Sequence, residues 1–398
     1  MPKIQPLGGL KILDLTRVLA GPYASMLLAD LGAEVIKVER PKSGDDTRSW
    51  PPFAKNTTES IYFLSINRNK RSLTANISSK RGIDVIKRLA LQSDVLIENY
   101  IPGKLDRFGL GYNQLKLLNP KLVYCSITGY GPTGPYSTQP GYDISISADA
   151  GLMYITGEKA PSLPVRPGVA LIDLTTGLYA HSAIMAALIS RGITGEGEKI
   201  DVSLLECQVA SLANVAHNYL INDLEAERWG TQHSSIVPYQ MFECKDGHIV
   251  IGVGNDMQYV KLCNSLNAVP LMDPKFSTNA LRVTNRKEIV AILEHIFMTG
   301  TKAYWKEIIG SIGIAFGPVN NLKETFCHEQ VIHSSIVKEV HHPTAGYIKL
   351  VGPAVRYSKS SATIKTAPPL LGQHTDEILE NLGYTEEEIA EMRLHGDI

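Results

Sequence analysis

Short apolar runs of strand character alternate with helical stretches from the start of the chain, and that alternation confines it to a parallel sheet with helices on both faces. Strands are expected over residues 11–15, 35–38, 72–77, 94–100 and 122–128, with helices over 23–31, 80–92 and 113–118. Ligands of such sheets gather beyond the carboxyl ends of the strands. After residue 130 the pattern changes. Gly129-Tyr-Gly-Pro-Thr-Gly-Pro135 is a loop dense in turn residues, and helices are expected over 174–191 and 206–225. Short strands at 241–243 and 248–252, with helices near 257–266 and 286–297, indicate a smaller inserted α+β domain. Strands and turns over 335–357 and two terminal helices within 375–395, split near Gly383, complete the chain.

Lysine and arginine number 39 against 40 acidic residues, a net charge of −1 that argues against a general nucleic-acid binder. The five cysteines (Cys125, Cys207, Cys244, Cys263, Cys327) are dispersed without a C-x-x-C pair. They read as unpaired thiols in a reducing compartment, not as zinc ligands. No histidine shows H-E-x-x-H spacing, so no metal is expected. No run approaches the ~18–20 apolar residues of a membrane span, so no membrane association is expected.

Chemistry is most concentrated in Val169-Ala-Leu-Ile-Asp173-Leu-Thr-Thr-Gly-Leu178, where an apolar run delivers one carboxylate to the start of a long helix. The free N–H groups and positive helix end are expected to keep Asp173 ionised. Aspartate is also an ordinary cap residue, so the segment alone leaves both roles open. The first turn, Leu15 to Pro22, lacks G-x-G-x-x-G, which disfavours a dinucleotide site, although Gly21-Pro22 suits a ligand lying over the turn. Arg40 follows the second strand, and Arg68, Lys70 and Arg71 cluster near the third, which suggests one basic rim for an anionic ligand end. Asn99 and Tyr100 end a strand and Arg107 follows a Pro-Gly turn, a placement suited to a ring and its substituents. His233 lies in a Gly-, Ser- and Pro-containing loop that reads as a lid.

In this order the segments resemble class III CoA-transferases, the family of formyl-CoA transferase and carnitine CoA-transferase. The resemblance runs nearly end to end: Gly9 to Pro22, Leu28 to Glu39, Gly44-Asp-Asp-Thr-Arg48, Asn69-Lys-Arg-Ser72, Glu98-Asn-Tyr-Ile-Pro-Gly103, the 129–135 loop and Pro369 to Leu379. It is strongest toward dicarboxylate-using members, through Val165-Arg-Pro-Gly-Val-Ala170, Arg228-Trp-Gly-Thr231, Ser235 to Gln240 and Gly352 to Ser358. The resemblance implies a Rossmann-like large domain made of 1–225 and 331–398, a small α+β domain over 226–330, and an interlocked ring-like homodimer. It implies that Asp173 is the nucleophile, with CoA contacts at Leu19, Ala20, Arg40, Ala75, Ser78, Asn99, Tyr100, Arg107 and Tyr142. CoA thioesters are then substrates and no cofactor is permanently bound.

The activity so implied is reversible transfer of CoA from succinyl-CoA to a dicarboxylate such as glutarate or 3-hydroxy-3-methylglutarate, through an aspartyl intermediate. Malate, itaconate or mesaconate are alternative acceptors. Formyl-CoA transferase has glutamine where Leu19 stands and a basic residue at the Pro140 position, so oxalate contacts are not carried over. Its glycine-rich lid is replaced by the loop around His233. For the far carboxylate of an acceptor, Arg166 is the first candidate, with Arg48 and His233 behind it. An acyl-CoA racemase of the same fold is the rival, but racemases carry Gly-His-Asp where this chain has Gly141-Tyr142-Asp143. The expected compartment is the mitochondrial matrix for a eukaryotic source and the cytoplasm otherwise; the start of the chain shows no Arg-rich presequence.

Overall fold

The computed structural model describes residues 4–398. Six strands form one parallel sheet: β1 (Lys11–Asp14), β2 (Glu34–Glu39), β3 (Lys70–Thr74), β4 (Val95–Glu98), β5 (Val123–Thr128) and β6 (Lys199–Ser203), in the order β3-β2-β1-β4-β5-β6. Ile12 pairs with Val35 on one side and Val95 on the other, so the direction of crossover reverses at the β1/β4 boundary. A crevice opens at such a reversal, because the loops leaving the two strands diverge to opposite faces.

Alternation along the strands divides the core. Ile12, Val35, Ile97 and Cys125 face one side, packed by the first helix (Ala20–Asp30) and a long helix (Leu171–Thr194). Leu13, Leu73, Leu96 and Tyr124 face the other, packed by the Lys80–Gln92 helix and the terminal helices Thr375–Asn381 and Glu386–His395. Each fully buried Leu or Ile contributes roughly 1.5–3 kcal/mol, so the two clusters hold the sheet from both faces. Burial on both faces explains why these strands read as continuous apolar runs.

The chain forms two compact units. The first comprises Met1–Leu152, Pro167–Asn222 and Ser334–Ile398. In it the C-terminal part returns to the sheet, where Thr74 N–H donates to Thr375 Oγ1 (3.1 Å) and Asn76 N–H to the Asp397 carbonyl (2.7 Å). This unit also carries the hairpin β10 (Val337–His342) and β11 (Gly346–Val351), numbered after the strands of the second unit.

The second unit comprises Asp223–His333 and also Met153–Arg166, a stretch inside the expected 1–225 domain. Its antiparallel sheet runs β7 (Tyr239–Cys244), β8 (Gly247–Gly252), β9 (Ala315–Pro318). Phe242, Ile249, Leu293, Phe297 and Trp305 form its core. Arg228 ties in the early stretch by donating to the carbonyls of Tyr154 (3.2 Å), Glu158 (3.0 Å) and Ser162 (2.7 Å).

Three expectations change. The third strand ends at Thr74, and the chain passes through Ala75 and Asn76 into a turn at Ile77 and Ser78. The helix expected over 206–225 is two helices, Leu204–Ser211 and Asn214–Asn222, separated at Ala213, whose φ of +48° no helix accommodates. One helix also meets the length and hydropathy of a membrane span: Leu171–Thr194, with mean hydropathy 1.3 over its most apolar window. Ile172, Thr176, Gly177, Ala180, Ile184 and Ala187 put one face of it into the core, as in an amphipathic helix of a folded domain, while Leu178, Tyr179, Ile189 and Ile193 are exposed.

Candidate active site

The loops leaving β1 and β4 meet at the crossover reversal. Arg17 N–H donates to Asn99 Oδ1 (3.0 Å) and Asn99 Nδ2 returns a bond to the Arg17 carbonyl (2.8 Å). This reciprocal pair locks the first turn against the end of β4, next to Tyr100, which is partly buried against the core. Gly129 and Gly141 close the neighbouring loop: a Cβ on Gly129 would come within 2.6 Å of the Gly141 Cα. Only paired glycines allow that approach.

The long helix brings in Asp173. Its cap residue, Ala170, has no side chain able to bond, and Asp173 is the third helical residue, not the cap. The capping group comes from elsewhere in the chain. Asp143 Oδ2 accepts the N–H groups of Ile172 (2.9 Å) and Asp173 (3.4 Å). A turn later, Gly177 lets this helix press on the first: a Cβ there would stand 2.8 Å from the Ala20 carbonyl oxygen. Asp173 therefore faces the same cleft as Leu19 and Ala20.

The helix end does not keep Asp173 ionised, contrary to the expectation. Burial, and then the charge of Asp143, push its carboxyl up to about 7. A helix terminus contributes about 0.3–1 kcal/mol to an anion. Desolvation shifts a carboxyl by as much as ~3–5 pH units, so burial wins. The N–H groups that would have favoured the Asp173 anion are also taken by Asp143.

The cleft has a cavity volume of ≈ 280 Å³ and gathers Leu19, Ala20, Asn99, Tyr100, Tyr142 and Asp173. Arg40 and Ala75 line a narrower hollow on the other side of Tyr100. Arg40 is paired with Asp46, with its side chain half exposed. Ser78 and Arg107 are exposed and line neither space. Arg48 is outside the cleft: Nε and Nη2 each bond the Glu39 carboxylate at 2.7 Å, and the guanidinium lies 3.6 Å from the centre of the Phe63 ring. Arg166, exposed, and His233, whose Nδ1 accepts from Ser235 N–H (3.1 Å), belong to the second unit.

The expected basic rim does not form. In a parallel sheet Arg40, after β2, and Arg68–Arg71, at the start of β3, stand at opposite ends. Arg68 is buried against Asp30 (2.6 Å), Lys70 against Asp14 (3.1 Å), and Arg71 pairs with Glu34 (2.7 Å). Two cations not anticipated line the cleft, Arg17 and Lys104, 5.6 and 5.0 Å from the centre of the Tyr100 ring; Arg17 is paired with Asp46 (2.6 Å), which lines the cleft beside it, so Lys104 supplies the unpaired positive charge. Both flank recognised segments, Arg17 inside the first turn and Lys104 just past Pro102-Gly103. Asp143 was also missed, although Gly141-Tyr142-Asp143 marked the place. Among the described residues no cluster of His, Cys, Asp or Glu is arranged to hold a metal.

Comparison with known proteins identifies the family. The family model described as CoA-transferase family III matches residues 7–375. The human succinyl-CoA:glutarate CoA-transferase is 54% identical, over 98% of this chain and 90% of that protein, and the mouse protein of the same name is 55% identical, over 99% and 91%. A crystal structure of a CAIB/BAIF family protein from Brucella suis superposes with a TM-score of 0.86 at 39% identity, covering 95% of this chain and 99% of that one.

Proposed function

The chain belongs to CoA-transferase family III, and from that premise we propose that it exchanges CoA between succinyl-CoA and a dicarboxylic acid, glutarate or 3-hydroxy-3-methylglutarate, by way of Asp173. The observation that carries this reading is the half-buried carboxyl of Asp173, which opens into a cleft that also contains the start of the first helix and the cations Arg17 and Lys104.

In the proposed cycle an Asp173 carboxylate oxygen attacks the acyl carbonyl of the donor thioester. The C–S bond breaks, CoA thiolate leaves, and a mixed anhydride remains. The thiolate then attacks the aspartyl carbonyl, releasing the donor acid and leaving an aspartyl-CoA thioester. The acceptor carboxylate attacks that thioester, and the freed thiolate closes the cycle on the acceptor acyl group. Carboxylate is a weak nucleophile, so enforced proximity must supply much of the acceleration, about 7–11 kcal/mol where alignment is good. In the first turn of the helix at Ala20 the N–H groups of Ala20 and Gly21 have no intrahelical partner (Pro22 has no N–H and Tyr23 N–H donates to the Leu19 carbonyl at 2.7 Å), and Leu19 offers no side-chain cap. They are suited to an oxyanion. Arg17 and Lys104 supply charge for the CoA phosphates, and Tyr100 and Tyr142 supply ring faces.

Arg166 is our candidate for the far carboxylate of the acceptor, with His233 on a closing loop. We also propose a homodimer, supported by exposed apolar side chains on the long helix (Leu178, Tyr179, Ile189, Ile193). The test is incubation with succinyl-CoA and a panel of dicarboxylates, followed by mass spectrometry of the CoA products. Hydroxylamine should trap an adduct on the peptide containing Asp173, and Asp173→Asn should abolish both signals. Undiminished transfer by Asp173→Asn would refute the covalent route.

A further inference from the structure

Two lysines that take no part in this cycle lie fully buried beneath the first turn, Lys37 on β2 and Lys70 on β3. A buried ammonium is costly, and a well-packed apolar pair is usually as good or better for stability. What these two bond is therefore informative. Lys37 Nζ pairs with Asp45 (2.9 Å) and donates to the main-chain carbonyl of Thr16 (2.8 Å). Lys70 Nζ pairs with Asp14 (3.1 Å) and donates to Asn67 Oδ1 (2.9 Å) and to the main-chain carbonyl of Pro22 (2.9 Å).

Thr16 and Pro22 are the two ends of one segment. Between them are Val18, Leu19 and Ala20, which line the cleft with Asp173. Val18 has φ +69°, a left-handed conformation that a β-branched residue holds only when its surroundings impose it. The acidic partners of the lysines grip the same segment: Asp45 Oδ1 accepts from Val18 N–H (3.2 Å) and Asp14 Oδ1 from Thr16 N–H (2.9 Å). All four charged groups thus converge on the backbone of a single turn.

We propose that Lys37 and Lys70 are positioning residues for CoA transfer, clamping the carbonyls of Thr16 and Pro22 so that the N–H groups of Leu19, Ala20 and Gly21 between them are held in place for the reacting carbonyl. The clamp supports a geometry needed at the transition state, so its loss falls on kcat more than on thioester binding. This inference rests on the reading of Asp173 as nucleophile.

The test removes each charge pair whole, so that no buried charge is left alone. Lys37→Met with Asp45→Asn, and Lys70→Met with Asp14→Asn, each retain an amide oxygen for the turn N–H. We expect both double variants to unfold cooperatively and to bind CoA within about threefold of the parent, while kcat falls at least about 30-fold. The Asp173 adduct should form correspondingly slowly in a single turnover. Val18→Gly, which takes a positive φ without strain and so folds safely, should loosen the same turn and lower kcat with CoA affinity kept. Parent-like kcat in any of the three, or kcat and CoA affinity falling together, overturns the clamp. Asp173→Asn run in parallel separates the two readings: if it retains transfer, the nucleophile assignment fails instead.

Discussion

Asp173 and Asp143 illustrate how a side chain's chemistry is set by its surroundings. The nucleophile must be ionised, and its carboxyl is raised to about 7. The expected kcat/KM therefore climbs as pH rises through about 7 and levels off above it, measurable from pH 5.5 to 9. Asp143→Asn keeps an oxygen for the Ile172 and Asp173 N–H groups but removes the negative charge, so this inflection should move to lower pH. The same shift governs stability. Because the native carboxyl holds its proton to higher pH than the unfolded one, whose ordinary value is 3.8, stability declines as pH rises from about 4 to about 7. Asp173→Asn should accordingly be more stable than the parent at pH 8, by on the order of 2–4 kcal/mol in urea unfolding. An unchanged midpoint would contradict the burial of a charge there. Arg17 and Lys104 belong to this scale too. Replacing either with Ala should raise the KM for succinyl-CoA several-fold, more at low salt than at high, and leave the acceptor KM alone.

At the scale of elements, the contact between the first helix and the long helix sets the distance from Asp173 to Leu19 and Ala20. Gly177→Ala places a methyl 2.8 Å from the Ala20 carbonyl oxygen. Separation of the helices should cost about 1–3 kcal/mol of stability and at least tenfold in kcat, checked by thermal melts and steady-state rates. The helix near 80–92 was legible in the sequence because its apolar positions recur at helical spacing; in the structure Ser79 caps it through Gly82 N–H (3.0 Å). Strand β6 was not. Lys199-Ile-Asp-Val-Ser203 carries two charges in five residues and lies at the edge of the sheet, where only Val202 and Ser203 are buried. An edge strand needs no continuous apolar run, so its sequence gives little signal.

For the whole molecule, the expectation concerns which cation reads the far carboxylate of the acceptor. If Arg166 reads the far carboxylate, Arg166→Ala should raise the KM for glutarate at least about tenfold while that for succinyl-CoA changes by less than about threefold. An unchanged acceptor KM would remove Arg166 from the site. The sequence by itself determined the alternation of strands and helices, the turn residues between them and the arrival of one carboxylate at a helix start. These depend on neighbours within about four positions along the chain. Tertiary structure alone decided that Asp173 is capped and charged against by a residue thirty positions earlier, that Arg48 is spent on Glu39, and that Lys37 and Lys70 grip the first turn. Electrostatics and burial act through space, and only the folded chain sets those distances.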